Sequence, residues 1–368
     1  MAVVLLALSC GGNTGHSLSP SAAGATASPA ATPSGGAGFT SYGLLLTAGT
    51  LEMITPAATI AAHAKVAAPS VQFCSAAHDR AVQPPPVSAS DHHVYFRDGD
   101  TQIRMVVPPS GTADVTKVPG GGNVVSFFSV SPDDQRIAVL VEDVSSTTAV
   151  SERLYVEDLH GGGHHLDIFS TQVPKDERGK TLWPMGWHNG ALVLAVMPAC
   201  TFVPIGILPS AWHISSATTG RRVATITANN CWLSLFPSSH GVGCINGTNG
   251  STVEFDLSGK KVAVTGPPTP VGGYALTGLS PAGQSMFFAT GEFVDGPPLT
   301  TQILQLGPGP YATVQGHAAC AWIDEDHLLA PDAVIQFPAE TPGNVKVRAT
   351  ATALPAGGEC AGRFPGGL

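Results

Sequence analysis

The sequence predicts an all-β fold of repeated four-stranded antiparallel units, and three observations predict it. Charged residues make up only 12% of the chain, while 43 Gly and 31 Pro account for about a fifth of it. That is too little charge for a set of solvated amphipathic helices, and it suits many short strands joined by turns. A turn-and-strand unit, Ser131-Pro132-Asp133-Asp134 leading into residues 136–140, returns as Ser280-Pro281-Ala282-Gly283 leading into residues 285–288. Two further units start from Trp instead: Trp187-His188-Asn189-Gly190 and Trp322-Ile323-Asp324-Glu325 each precede an apolar strand. Taking Pro132, Asn189, Pro237, Pro281 and Asp324 as equivalent turns gives steps of 57, 48, 44 and 43 residues, and a period of about 40 to 50 is the signature of a β-propeller. Seven blades are expected, with six as the alternative.

In chain order, residues 1–10 read as an export signal: an apolar run over 1–8, then Ser9-Cys10-Gly11-Gly12 with small residues at a cleavage point. This resembles a bacterial lipoprotein signal, which implies lipidation at Cys10. Ala7 stands where the lipobox usually has Leu, and no Lys or Arg precedes the run, so the start codon stays open. Residues 11–39 are almost all Gly, Ser, Ala, Thr and Pro, a composition that cannot offset its ordering entropy, and they are expected to be a disordered tether. Residues 40–368 form the propeller. No apolar run approaches the ~20 residues of a spanning helix, so the membrane is reached through the lipid only.

The folded part opens with strands at 42–48 and 50–54 about a Gly49 turn, and a third at 60–66. Residues 70–74 open the next unit, followed by a Pro-rich loop. Strands at 93–97 and 101–106 then flank Asp98-Gly99-Asp100, a strong hairpin signal. One complete meander follows: 124–130, the Ser-Pro turn, 136–142, 153–158, a triple-glycine turn at 161–163, and 164–169. Residues 232–237 turn into 241–245 in the same plan. Six full units fit between Ser70 and Thr352. Residues 41–66 are then part of a seventh, closed by the tail around Cys360 to Phe364, an arrangement that removes exposed edges.

Turn chemistry explains the repeated motif. Pro in second place presets φ, Ser and Asp bond the local backbone, and the fourth position tolerates a left-handed conformation. The turn therefore joins the innermost strand of a blade to its neighbour. Strands packed between blades on both faces run apolar.

On Ser-Pro-Asp-x-x-x-Ile-Ala-Val, the chain from about residue 40 resembles exported bacterial WD40-like and TolB-like propellers. Two copies match that pattern well, and no unit carries the Trp-Asp ending of WD40 repeats. The resemblance implies the fold and an exported binding or scaffolding role, and it transfers no partner.

Apart from Cys10, the six cysteines Cys74, Cys200, Cys231, Cys244, Cys320 and Cys360 suggest disulfides in an exported chain. None forms a C-x-x-C pair. Cys231–Cys244, flanking a hairpin, and Cys320–Cys360, joining the last unit to the tail, are the favoured pairs.

Net charge is −9 with no basic run, which argues against nucleic acid. There is no G-x-S-x-G elbow, H-E-x-x-H, Walker or Rossmann pattern and no sialidase Asp-box. His92, His93, His160, His164 and His165 are the candidate metal ligands, and Asp98/Asp100 and Asp324/Asp326 the candidate calcium pairs. Polar loops and turns explain both sets better. Trp183, Trp187, Trp212, Trp232 and Trp322 are candidates for a binding rim, although Trp187, Trp232 and Trp322 recur as packing residues would. No catalytic residue, metal or cofactor is assigned. The expected role is a monomeric, membrane-tethered module that binds an envelope protein, peptide or glycan. The alternative is a hydrolase or lyase with a site in the central channel. Carboxylates and His clustered at the channel mouth would favour the enzyme, and an apolar mouth without them would favour binding.

Overall fold

The computed structural model describes residues 41–74, 80–81, 84–161, 163–176, 178–201, 209–227, 231–234, 236–246, 251–265, 275–290, 299–307, 309–339, 341–343, 345–366 and 368. Cys10 and the expected signal and tether lie outside the described residues, as does Gly162 of the triple glycine.

Among the described residues, seven four-stranded antiparallel sheets form a seven-bladed β-propeller. Blade 1 combines Tyr42–Thr47, Thr50–Ile54 and Ile60–Lys65 with Glu359–Phe364, which pairs antiparallel with Tyr42–Thr47 from the inner side. The two ends of the domain thus close one blade, as expected. Blade 2 is Val87–Ala89, Val94–Asp98, Gln102–Val107 and Gly111–Lys117. Blade 3 is Val124–Val130, Arg136–Asp143, Ala149–Asp158 and Leu166–Pro174. Blade 4 is Lys180–His188, Ala191–Pro198, Ala211–Ser216 and Arg222–Thr227. Blade 5 is Cys231–Leu233, Val242–Asn246, Thr252–Phe255 and Lys261–Thr265. Blade 6 is Ala275–Leu279, Ser285–Thr290, Thr300–Gln305 and Tyr311–Gln315. Blade 7 is Ala321–Trp322, His327–Leu329, Ala333–Gln336 and Thr350–Ala353. Residues 70–74 are not a blade strand. Blade 2 starts at Val87, and Cys74 instead reaches a disulfide.

The inner strands touch in series. Glu359–Phe364 neighbours Val87–Ala89, then come Val124–Val130 and Lys180–His188. From the other side, Cys231–Leu233, Ala275–Leu279 and Ala321–Trp322 lead back to Glu359–Phe364.

Alternation explains why the second strands are apolar throughout. In Arg136–Asp143, Ile137 and Val139 pack with Tyr95 and Ile103 of blade 2, whereas Ala138 and Leu140 pack with Trp183 and Trp187 of blade 4. In Ser285–Thr290, Met286 and Phe288 join Ile245 of blade 5, and Phe287 and Ala289 join Trp322 and Ile335 of blade 7. Period-2 side chains thus feed two inter-blade cores at once. Both faces are dry, so both must be apolar.

The Ser-Pro turns are built as their chemistry requires. The amide of Asp134 donates to the Ser131 carbonyl at 3.0 Å, and that of Gly283 to Ser280 at 2.9 Å. Both fourth positions are left-handed, with φ of 58° and 68°. The serine hydroxyls accept from the amides of Arg136 and Ser285, at 2.9 and 3.0 Å. The Trp187 unit turns differently. Asn189 and Gly190 both have positive φ, as a two-residue type I′ hairpin demands.

Among the described residues, three disulfides are present. Cys231–Cys244 and Cys320–Cys360 pair as favoured, with Cα separations of 5.6 and 6.2 Å. Cys74–Cys200, at 6.0 Å, brings together residues 126 apart beside the short sheet of Arg80–Ala81 and Cys200–Thr201. Such bridges fit an oxidising, extracytoplasmic compartment.

Candidate functional site

The inner strands enclose a channel, and its lining is the candidate site. Phe127, Met185, Phe236, Leu279, Trp322 and Pro84 to Pro86 supply an apolar wall around a chamber of about 100 Å³, with Ser88, Ser129 and Ser238 adding hydroxyls. Among the described residues, Arg97 and Arg363 carry the only charged side chains in that lining.

Arg97 is 2% exposed and donates through Nη1 to the Ser126 carbonyl, while its Nε has no partner. Burial pushes its guanidinium down to about 10, and Asp100 partly offsets this. Arg363 is lowered by burial too, and the charges of Glu325, Asp91 and Asp324 pull it back up. The last residues also reach the channel. The Gly366 amide donates to the Ser90 carbonyl at 2.9 Å and that of Leu368 to Trp187 at 3.2 Å, with the Leu368 side chain against Gly186. A side chain at position 186 would collide with it, so glycine there makes room for the closing segment.

Tryptophans hold the channel wall. The Trp187 indole donates to the Ser129 carbonyl at 3.2 Å, and that of Trp322 to the Gly278 carbonyl at 2.9 Å. Ser129 and Gly278 each lie three residues before the turn proline of the preceding blade, so the two indoles read the same repeat position. Trp183 and Trp212 are buried in blade 4 as well. Trp183, Trp187 and Trp212 fill inter-blade cores and do not line the channel, whereas Trp322 packs between blades and also contributes to the channel wall. Trp232 lies in the first strand of blade 5, opposite Ile245.

The histidine and acidic candidates are engaged in ties. His93 contacts Asp134 at 2.8 Å, His164 contacts Asp158 at 2.8 Å, and His165 contacts Glu157 at 2.8 Å and Arg153 at 2.9 Å. His160 is exposed on the loop before them. Among the described residues, no group of three or more metal-ligating side chains converges. Asp98 accepts from the Ala67 amide and Asp100 from Ser70, fastening the link between blades 1 and 2. Asp324 accepts from the amides of Asp326 and His327 and from the His327 ring. That hydrogen bond raises the His327 imidazole, and against the opposing effect of burial the same contacts hold Asp324 below its usual range.

The most perturbed carboxyls are elsewhere, and sequence reasoning missed them. Glu142 and Glu152 face each other across adjacent strands of blade 3, 0% and 2% exposed. The Thr181 hydroxyl of blade 4 donates to Glu142, while Oε2 of Glu142 and Oε1 of Glu152 have no partner. Burial raises both, Glu142 well above the carboxylate range and Glu152 to about 8. A Glu closing the apolar run 137–141 was the signal that could have found this pair.

No family model and no curated protein matches the chain. Solved structures do. An oligogalacturonate lyase in complex with manganese is similar at 10% identity and a TM-score of 0.38, over 59% of this chain and 61% of the lyase. A Bacteroides caccae protein of unknown function is similar at 9% identity and 0.42, over 73% and 90%. TolB from Acinetobacter baumannii is similar at 9% and 0.36, over 66% and 60%. The chain thus spans 61% of the lyase and 60% of TolB. Likenesses this distant concern the fold alone. Fold and site together define a seven-bladed β-propeller with an apolar, arginine-bearing channel.

Proposed function

We propose that the protein is an exported binding or scaffolding module, tethered to the membrane through a lipid on Cys10, which takes an envelope protein, peptide or glycan at its channel. The observation that carries this reading is the channel lining, apolar and hydroxyl-bearing with two arginines and no carboxylate or imidazole side chain among the described residues. Such a wall offers contact area and hydrogen-bond donors, and it offers no pair of groups that could pass a proton to a substrate. The raised carboxyls Glu142 and Glu152 do not line it.

The test is a pull-down from washed cell envelopes using the full chain and Met185→Trp, which narrows the channel. One specific partner held by the wild type and lost by the variant supports the reading. Envelopes that retain nothing specific on the wild type sink it. For the address, Cys10→Ala is expected to release the protein from membranes, and unchanged retention would remove the lipid from the proposal.

A further inference from the structure

The channel as it stands is too small for a ligand. Its chamber is about 100 Å³, whereas ligand pockets start at roughly 300 Å³, so part of the lining has to move before anything binds. The blades themselves are poor candidates, because their strands carry the close-packed inter-blade cores. Two segments close the ends of the chamber. Pro84 to Pro86 lie at one end, just before the inner strand Val87–Ala89. Gly366 and Leu368 lie at the other, against Ser90 just past that strand and Trp187 near the end of Lys180–His188.

The two ends are held very differently. The chain leading to the prolines is fixed covalently by Cys74–Cys200, and Arg80–Ala81 pairs with Cys200–Thr201 of the same bridge. Asp98 and Asp100 fasten the start of that chain at Ala67 and Ser70, and the Pro86 carbonyl accepts from the Arg97 amide at 2.9 Å. The other end depends on less. After Glu359–Phe364 the chain leaves blade 1, touches Ser90 of blade 2 and reaches Trp187 of blade 4. Blade 4 is three places round a ring of seven, so the chain crosses the mouth and does not follow its rim. It is held there by the amides of Gly366 and Leu368, at 2.9 and 3.2 Å, and by the Leu368 side chain on Gly186. Both residues are partly exposed. Their seat is nevertheless fitted: a Cβ at 366 would strike the Ala89 carbonyl, and one at 186 would strike Leu368. The closing strand of blade 1 ends before this segment, so the segment can open locally while every blade stays paired.

We infer that Pro365, Gly366 and Leu368 belong to a gate, which plugs one mouth of the channel in cis and is displaced when a ligand enters, while the proline end stays shut. The inference rests on the channel being the binding site, and it adds the entrance and the contacts that a ligand must break.

The gate can be tested without any partner. In a Cys10→Ala background, Met185→Cys places one free thiol in the channel lining, the other six cysteines being paired. The rate at which N-ethylmaleimide labels it reports how often the channel is open. Deleting residues 365–368 is expected to raise that rate about tenfold or more, since a minor open state is populated at no more than ~10%. Leu368→Ala, which leaves the backbone bonds in place, is expected to give a smaller rise. Removing the other closure with Cys74→Ala and Cys200→Ala is expected to leave the rate unchanged. Labelling that the deletion does not speed, or a larger rise from the cysteine pair than from the deletion, overturns the gate. Faster labelling beside a pull-down that retains nothing would keep the gate and remove the ligand, so the two readings fail separately.

Discussion

Blades 3 and 6 start from the same Ser-Pro turn and send the same kind of apolar strand between their neighbours, yet they are anchored by different means. In blade 3 the left-handed turn position is Asp134, whose carboxylate accepts from the Tyr95 hydroxyl at 2.9 Å and contacts His93 at 2.8 Å, both in blade 2. In blade 6 it is Gly283, and blade 5 packs directly onto it: a Cβ there would lie 2.7 Å from that of His240. One turn grips its neighbour with a side chain, and the other admits its neighbour by having none. The difference continues at the far end. Arg136–Asp143 brings Glu142 opposite Glu152, while Ser285–Thr290 closes with Thr290 opposite Thr300. Blade 3 alone of the two has a disulfide beside it, Cys74–Cys200 packing with Val144 and Val150. A shared motif thus fixes how a blade turns and leaves open how it docks.

The largest expected effect is on pH dependence. With folded values raised above the unfolded one, both states are protonated at low pH and full stability is present there. As pH climbs from the ordinary carboxyl range to about 8, the unfolded chain ionises first and stability falls. For Glu152 the loss is on the order of 5 kcal/mol. Urea melts across that window are expected to show the fall in the wild type and a flatter profile in the Glu142→Gln, Glu152→Gln double variant. An unchanged profile would mean the pair is not protonated in the fold.

Next in size is the blade 3 disulfide. Paired Cys74→Ala and Cys200→Ala changes are expected to cost about 2–4 kcal/mol, because the bridge closes a long loop. Removing Cys231–Cys244, which spans 13 residues, should cost less in the same calorimetric scan. Equal losses would argue against loop entropy as the cause.

The smallest effect separates the two turns. Gly283→Ala is expected to destabilise by roughly 1–3 kcal/mol, through left-handed strain and the approach of His240. Asp134→Gly relaxes the backbone but leaves the Tyr95 hydroxyl unpaired, a net cost of about 1 kcal/mol. Combining Asp134→Gly with Tyr95→Phe should recover most of that cost, and simple additivity would show that the two side chains do not couple.

Much of the fold was legible because its signals are local. The proline presets a turn, the fourth residue must tolerate positive φ, and alternate residues serve two dry faces. Five or six consecutive residues therefore announce a blade. Closure was legible as well, since residues 41–66 are one strand short and Cys360 to Phe364 supplies it. The opening of blade 2 was not: residues 70–74 are apolar enough for a strand, but Cys74 is drawn away to Cys200, and the blade starts beyond the Pro-rich loop. The tryptophans were half legible. Recurrence marked Trp187 and Trp322 as packing residues, but nothing in the chain says that their indoles seek the carbonyls of Ser129 and Gly278.

By itself, then, the sequence determined the repeat, its turns and the closing strand, all of which depend on short spans or on the pairing of chain ends, and it favoured two of the disulfides that the structure forms. Only the tertiary structure decided which side chains meet between blades. Thr181 with Glu142, and Tyr95 with Asp134, are brought together by the stagger of one sheet on the next. That stagger is set by the fit of whole inter-blade cores, and no run of neighbouring residues encodes it.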